Sequence, residues 1–141
     1  MAFPIIDGMR TIEFGNPGTS RDTILDFLFN GNKRATAGLL EFDYEAEGEE
    51  VEHVGEILVV VGNEGEELGR IRATRVEIVE FQNVSDEFAL AEAEGDLTGD
   101  DFRESHGKFW RDCGFDVRPD SKVVTMYFEL LKWAEDNKPA W

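Results

Sequence analysis

The chain has 141 residues, of which 41% are apolar and 11% aromatic, so it is long enough for one globular domain over 1–141 and too apolar to be disordered. Its formal net charge of −17 repels nucleic acid at long range, so any contact with RNA or a nucleotide must come from a local basic patch. One cysteine excludes an internal disulfide, and no apolar run reaches the roughly 18 residues that span a bilayer. Because the N-terminus also lacks a signal-peptide pattern, we expect a cytoplasmic protein with no membrane segment, no metal and no cofactor.

A helix is predicted over residues 20–30. Thr19 or Ser20 can cap its start, apolar residues recur at helical spacing along it, and Gly31 suits the left-handed position that ends a helix. Residues 39–46 then alternate apolar with mostly acidic side chains, which predicts a half-buried strand. The chain therefore passes from a helix to a strand through a short connection.

The second half of the chain predicts a hairpin followed by two helices. An apolar strand at 57–61 returns through a glycine-containing turn as a long strand at 68–81. The alternation of the long strand slips near Arg75, which predicts a bulge. Ser85 and Thr98 stand where each can cap the start of a helix.

A last strand is predicted at 123–131, and a polar tail follows at 134–141. Together with the earlier elements, this strand predicts an α+β fold whose core runs from about 12 to 132 and whose sheet is mostly antiparallel. We find no internal repeat and no linker, so the elements form one unit.

The connection after the first helix holds the residues best suited to chemistry, Lys33 and Thr36. A lysine near a low-dielectric pocket loses basicity and can act as a base, and a threonine hydroxyl becomes nucleophilic when a base takes its proton. Gly31 lets the backbone turn so that both side chains can reach one spot. The alternative is a solvated loop in which Lys33 or Arg34 pairs with the carboxyl end of the helix.

Arg70 and Arg72 share one face of the long strand. If the hairpin lies beside the Lys33 turn, these arginines and Lys33 line one concave surface that suits a phosphate or a base edge. The alternative is that each arginine pairs with neighbouring glutamates, as an acidic chain requires.

Carboxylates and aromatic residues elsewhere could complete a site. Glu92 and Glu94 stand at a predicted helix end, where they can serve as general acid or base beside a lysine, or remain solvated. Tyr44 and Trp110 can stack on a base or pack in the core. We interpret His106, on the apolar side of its helix, as structural.

The ordered set of these segments resembles the ASCH domain family, which is related in fold to the PUA RNA-binding barrel. The resemblance runs from about residue 14 to 132 and rests on a Gly-x-Lys-x-x-Thr motif with several supporting pieces. These pieces are Gly31-Asn32-Lys33-Arg34-Ala35-Thr36, Phe14-Gly15-Asn16, Val54-Gly55-Glu56, the acidic segment 92–96, Arg103-x-x-His106 and the closing strand from Val123.

The resemblance implies a small PUA-like β-barrel of mostly antiparallel strands with flanking helices, and recognition of RNA or a modified nucleoside in a cleft at the motif. Some bacterial members of the family are amidohydrolases that remove the acetyl group from acetylated cytidine. Carried over, this activity makes Lys33 the base, Thr36 the nucleophile, and Glu94 or Glu92 the third member. The substrate would then contact Gly31, Arg34, Tyr44, Arg70 and Arg72. The alternatives are a non-catalytic RNA-binding or regulatory module and, third, a ribonuclease.

Two positions depart from the family pattern. The motif often continues to an arginine two residues after the threonine, where this chain has Gly38. A contact to phosphate or carbonyl would then be missing or supplied by Arg70 or Arg72. The acidic segment usually carries an extra glycine where this chain has Ala93, which leaves open whether Glu92 or Glu94 joins the site.

Overall fold

The structure is a computed structural model that describes residues 5–133, and over this range it contains six strands and three α-helices. A π-helical segment at Leu40–Glu45 and a 3₁₀ turn at Phe81–Asn83 connect some of them. In chain order the elements are β1 (Ile5–Ile6), β2 (Met9–Ile12), α1 (Thr19–Phe29), β3 (Ala35–Leu39), β4 (Ile57–Val61), β5 (Glu67–Glu80), α2 (Asp86–Glu92), α3 (Gly99–Asp112) and β6 (Lys122–Trp133).

The strands form one sheet in the order β1-β2-β4-β5-β6-β3. Only the β2–β4 pair is parallel among the described strand pairs, and the others are antiparallel. The predicted α+β class with a PUA-like, mostly antiparallel sheet is thereby confirmed. The sheet remains open between its edge strands β1 and β3, so the predicted barrel is a loose one.

The core divides into two apolar clusters. One cluster packs α2 and α3 against the sheet through large side chains, among them Phe81, Phe88, Phe102 and Trp110. The other packs α1 against the sheet through Leu25 and Leu28 together with sheet residues. Strand β6 contributes to both, with Val123 in the first cluster and Met126 and Phe128 in the second, because successive side chains of a strand point to opposite faces. The strand that carries the Lys33–Thr36 motif, β3, is paired to this doubly buried strand.

The helix predicted at 20–30 is α1, and Gly31 follows it with φ 81°, the left-handed conformation that glycine adopts freely. The predicted cap is wrong, because Gly18 is the N-cap residue and no side chain caps the helix. Thr19 and Ser20 therefore lie inside the first turn, where the Asp22 N–H donates to the Gly18 carbonyl at 3.0 Å.

The hairpin, its bulge and both later caps are confirmed. Strands β4 and β5 pair antiparallel, and the register between β5 and β6 shifts between Ala73 and Arg75. The Ser85 and Thr98 hydroxyls accept hydrogen bonds from the third backbone N–H after each of them, at 3.1 Å in both cases. The last strand extends from Lys122 to Trp133, slightly longer than predicted. The tail predicted at 134–141 lies outside the described residues.

The strand predicted at 39–46 is wrong beyond its first residue. Strand β3 ends at Leu39, and the chain then coils as a π-helix that folds back over the strand. The Asp43 carboxylate accepts a hydrogen bond from the Leu39 N–H at 2.7 Å. A side chain at Gly38 would place its Cβ 3.0 Å from Tyr44 Cε1, so the glycine makes room for this fold-back. The alternation of apolar and acidic residues over 39–46 does not by itself distinguish a strand from a π-helix. The hydrogen bond between Asp43 and the Leu39 N–H favours the π-helix.

Over residues 5–133, none of the helices combines the length and the apolar character that crossing a membrane requires.

Candidate active site

Lys33 is a fully buried lysine, with 1% of its surface exposed. Its ammonium group donates to the Ala35 carbonyl at 2.8 Å, the Glu92 carbonyl at 3.3 Å and the Glu94 carboxylate at 2.5 Å. An ammonium group has three donors, so all of them are used inside the protein. The structure therefore excludes the solvated-loop interpretation for Lys33, whose charge is held in place by carboxylate and carbonyl oxygens.

Backbone hydrogen bonds from three elements fix the position of Lys33. The Lys33 N–H donates to the Phe27 carbonyl of α1 at 3.0 Å. The next residue, Arg34, donates its N–H to the Ala91 carbonyl of α2 at 2.7 Å and accepts from the Phe128 N–H of β6 at 2.9 Å. The motif is thus clamped where α1, α2 and β6 meet. The Arg34 side chain instead turns outward, and its Nε donates to the Gly31 carbonyl at 2.9 Å.

The two glutamates that face Lys33 come from the end of α2. Glu92 is the last helical residue and is 2% exposed, with its Oε2 4.0 Å from the Lys33 ammonium nitrogen. Ala93 ends the helix in the left-handed conformation, at φ 55°. This turn brings Glu94 back toward the same lysine. The structure therefore brings both candidate glutamates to Lys33, and the usual family glycine would suit the conformation that Ala93 adopts.

His106, which the sequence indicates to be structural, belongs to the same network. Its Nε2 lies 2.9 Å from Glu92 Oε1, and its Nδ1 lies 3.3 Å from Asp96 Oδ2 and 3.2 Å from Ser105 Oγ. Burial opposes the charged form of the imidazole. The adjacent carboxylates of Glu92, Glu94 and Asp96 outweigh that effect and raise the pKa of His106 above its ordinary value. The Arg103-x-x-His106 spacing was the sequence signal for this residue.

A cleft with two lobes lies in front of this network. The smaller lobe has a volume of about 310 Å³ and is lined by Glu92, Glu94 and His106 among others. The larger lobe has a volume of about 460 Å³. Thr36 and Trp110 line both lobes. Thr36 therefore stands where the lobes meet, with its backbone paired to Met126 of β6.

A hydrogen bond to the backbone links the Lys33 side chain to the residue that precedes Thr36. The Ala35 carbonyl that accepts from the Lys33 ammonium group belongs to the peptide that leads into Thr36. Ala35 itself points into the core and is fully buried, so Thr36 points to the other face of β3 and toward the cleft. Of the four residues that the sequence predicts as catalytic, the structure thus places Glu92 and Glu94 against Lys33 and in the same lobe as Thr36.

The larger lobe is bounded by the π-helical segment, which the sequence did not predict. Tyr44 lines this lobe, and its hydroxyl donates to Glu52 Oε1 at 2.8 Å. Burial, followed by the charge of Glu52, raises the pKa of Tyr44, and burial likewise raises the pKa values of Asp43 and Glu52. Asp43 and Glu52 line the same lobe, and neither is among the site residues that the sequence predicts. Asp43 lies in the segment that the sequence predicts as a strand.

The structure does not bring Arg70 and Arg72 to the cleft, and neither of them lines either lobe. Their neighbour on β5, Ile71, is buried in the core, so the arginines point to the opposite side of the sheet. There Arg70 pairs with Glu67 and Asp7, both at 2.9 Å, and Arg72 pairs with Glu129 at 2.7 Å. Arg70 and Arg72 therefore fit the alternative interpretation, in which each arginine pairs with neighbouring carboxylates.

One group of side chains has the chemistry to hold a metal ion. One donor atom from each of Glu92, Glu94 and His106 lies within 4.8 Å of the others. The Lys33 ammonium group, however, already stands against both carboxylates, at 2.5 Å from Glu94 and 4.0 Å from Glu92. A metal ion would have to compete with this cation for the same oxygens.

Comparison with known proteins agrees with this description. The family model of the ASCH domain matches residues 10–132. The crystal structure of an ASCH domain from Lactobacillus crispatus JV V101 superposes with a TM-score of 0.71 at 28% identity, over 85% of this chain and 77% of that one. Protein EF3133 from Enterococcus faecalis V583 superposes with a TM-score of 0.73 at 28% identity, over 86% of this chain and 75% of that one.

No protein with a curated description matches the chain. The matched range nevertheless contains the whole Gly-x-Lys-x-x-Thr motif, the two glutamates of α2 and His106. On the family model and on the structural likeness together, the chain belongs to the ASCH domain family.

Proposed function

We propose that the cleft binds a nucleoside or a short RNA and that Thr36 hydrolyses an amide on its base, with acetylated cytidine as the first candidate substrate. One observation carries this proposal: a buried lysine is hydrogen-bonded to a glutamate and to the peptide that leads into a cleft-lining threonine. Burying a lysine charge costs free energy even when it is paired. A buried charge kept at this cost is weak evidence for stability, so we take it as support for a chemical role of Lys33.

The hydrogen bond between Lys33 and Glu94 offers a route for the proton. Transfer of one proton from the ammonium group to the Glu94 carboxylate leaves a neutral amine and a carboxylic acid. The amine then takes the proton of the Thr36 hydroxyl, and Thr36 Oγ attacks the acyl carbon of the substrate. The carbonyl π electrons move to the oxygen, which becomes an oxyanion.

Collapse of this intermediate breaks the bond between the acyl carbon and the amine nitrogen of the base. Glu94 gives its proton to that nitrogen, so cytidine leaves neutral while Lys33 is an ammonium again and Glu94 a carboxylate. The acyl group is now an ester on Thr36. Water cleaves this ester with the same two proton carriers, which releases acetate and restores the threonine hydroxyl.

The shape of the cleft suits this assignment. The smaller lobe holds Glu92 and Glu94 beside Thr36, and Phe109 and Trp110 border both lobes. Aromatic faces at this position can stack on a pyrimidine ring. A base in the smaller lobe would present its acyl group to Thr36, and the sugar would extend into the larger lobe.

The test is release of cytidine from acetylated cytidine by the purified protein. Thr36→Val keeps the branched shape of the side chain and removes the hydroxyl, so we expect it to lose at least about 100-fold in rate without unfolding. Thr74→Val, at an exposed position of β5, is the matched control and should keep the wild-type rate. Wild-type protein that releases no cytidine would remove this substrate from consideration.

A further inference from the structure

The charge that lines the cleft restricts which ligands can enter it. Five carboxylates line the larger lobe and three line the smaller one, with Glu13 common to both. Among the described lining residues, the side chains that carry or can gain a positive charge are Arg10 in the larger lobe and His106 in the smaller. A phosphate in this cleft would face like charges on most sides.

Neither the two cations that line the cleft, Arg10 and His106, nor Lys33 behind it is free to bind a phosphate. Arg10 binds both carboxylate oxygens of Glu56 at 2.8 Å and donates to the Glu50 carbonyl at 2.6 Å. His106 stands between Glu92 and Asp96. Lys33 has a fully buried side chain and uses its donors inside the protein. Arginine and lysine are the side chains that most often bind phosphate, and this cleft supplies no available one from the described residues.

A carboxylate occupies the place next to Thr36 where a cation could have stood. Gly38 is two residues after Thr36, and the Asp43 and Tyr44 side chains fill the space above it. A Cβ at position 38 would lie 3.5 Å from Asp43 Oδ2. The fold-back of the π-helical segment therefore brings negative charge over β3, at the position where the family motif often continues to an arginine.

The smaller lobe contains a buried carboxylate oxygen that is incompletely satisfied. Glu92 Oε1 forms an ion pair with His106 Nε2 at 2.9 Å, and it accepts no hydrogen bond of good geometry from the residues that the structure describes. Buried carboxylate oxygens are nearly always satisfied. Because Glu92 lines the lobe that holds Thr36, a ligand that donates a hydrogen bond there would complete it.

We propose that the cleft is selective for unphosphorylated ligands: it takes an uncharged or cationic nucleoside or free base rich in hydrogen-bond donors, and it rejects nucleotides and the RNA backbone. This inference rests on the proposed function and narrows its ligand, given there as a nucleoside or a short RNA, to an unphosphorylated nucleoside or free base. The carboxylates of the larger lobe accept hydrogen bonds from ribose hydroxyls, and Glu92 accepts one from an amino group of the base.

The test compares three ligands with the same base: cytidine, cytidine 5′-monophosphate and a short cytidine-containing RNA. Binding is followed by NMR through the backbone amides of Ala37 and Gly38, at low and at high salt. We expect the monophosphate to bind at least about tenfold more weakly than cytidine, and the gap to narrow at high salt because salt screens repulsion. Turnover of the acetylated forms of the three ligands is measured alongside.

Isosteric variants test the origin of the selectivity. Asp43→Asn combined with Glu52→Gln removes two negative charges from the larger lobe, and both new side chains can still accept the hydrogen bonds from the Leu39 N–H and the Tyr44 hydroxyl. We expect this variant to bind the monophosphate several-fold better relative to cytidine. Glu64→Gln combined with Glu104→Gln changes net charge equally at exposed positions outside both lobes and should leave the ratio unchanged.

The outcomes separate the two proposals. Cytidine that binds in preference to its monophosphate, with no hydrolysis of the acetylated form, supports the selectivity and overturns the hydrolysis. Monophosphate or RNA that binds as well as cytidine overturns the selectivity, whether or not hydrolysis occurs. If none of the three ligands shifts the cleft amides, both proposals fail.

Discussion

Lys33 in the candidate site and the two arginines of β5, Arg70 and Arg72, are all cations that pair with carboxylates. They differ in their exposure to water. The Lys33 side chain is fully buried, whereas the Arg72 side chain is 45% exposed and its partner Glu129 51% exposed. Water and salt screen the pairs on β5, so those pairs balance charge without specifying a geometry. The pairs around Lys33 lie in a low-dielectric interior, where each removed partner leaves an uncompensated charge. Burial, rather than the number of charges, separates the candidate site from the acidic surface.

The largest effect is expected when the buried cation is removed. Lys33→Met keeps an unbranched side chain of similar length but leaves Glu92 buried without its cation. Removal of one partner of a buried pair costs about 3–5 kcal/mol, so we expect a loss of stability of this size in urea unfolding. Adding Glu92→Gln to Lys33→Met should restore part of that loss, because the remaining partner is then uncharged. A Lys33→Met protein as stable as the wild type would show that the buried network is not coupled in this way.

The next effect depends on pH and concerns His106. The folded protein raises the pKa of His106, so its protonated form contributes stability that is fully present below the unfolded pKa of about 6.5 and is lost as pH rises through the folded pKa. We expect His106→Gln to be less stable than the wild type by on the order of 1 kcal/mol near pH 5.5, with a smaller difference near pH 8.5. The measurement is urea unfolding across this range.

His53→Gln provides the control for this pH series, because His53 is the other histidine and its side chain is 77% exposed. Because the side chain is exposed, we expect His53→Gln to change stability by less than about 0.5 kcal/mol. A difference for His106→Gln that grows with pH would contradict the assigned direction of the pKa shift and would mean that burial, not the carboxylates, dominates at this imidazole.

The sequence predicted the candidate site better than it predicted the path of the chain around it. The Gly-x-Lys-x-x-Thr spacing and the acidic end of α2 led to Lys33, Thr36, Glu92 and Glu94, because local patterns and family resemblance both mark them. The burial of Lys33 could not be predicted, since it results from α1, α2 and β6 meeting around one residue. Periodicity also failed after Leu39, where the Asp43 carboxylate accepts a hydrogen bond from the Leu39 N–H and the chain forms a π-helix instead of a strand. Of the larger lobe, the sequence therefore predicted Tyr44 but neither Asp43 nor Glu52.

A smaller effect on stability is expected at Ala93, whose left-handed conformation ends α2 between Glu92 and Glu94. Ala93 is left-handed at φ 55°, which costs an alanine about 1 kcal/mol and costs a glycine little. We expect Ala93→Gly to stabilise the protein by about 0.5–1 kcal/mol and to leave the Lys33 network in place. Ala91→Gly, inside the same helix, is the matched control and should destabilise by a similar amount. If both substitutions destabilise, the turn after Glu92 is not limited by the conformation of Ala93.

The smallest effect is expected at Arg70 and Arg72, the arginines of β5. Arg72→Ala removes a cation whose pair with Glu129 is screened by water, so we expect the rate of amide hydrolysis and the affinity for cytidine to stay within about twofold of the wild type. Arg70→Ala should behave in the same way, because Arg70 pairs with Glu67 and Asp7 and lies outside both lobes of the cleft. RNA binding that falls steeply in either variant, with cytidine binding unchanged, would place a nucleic acid surface on the face of β5 away from the cleft. In that case the two groups of cations would serve two different ligands, and the exposed pairs would no longer be simple charge balance.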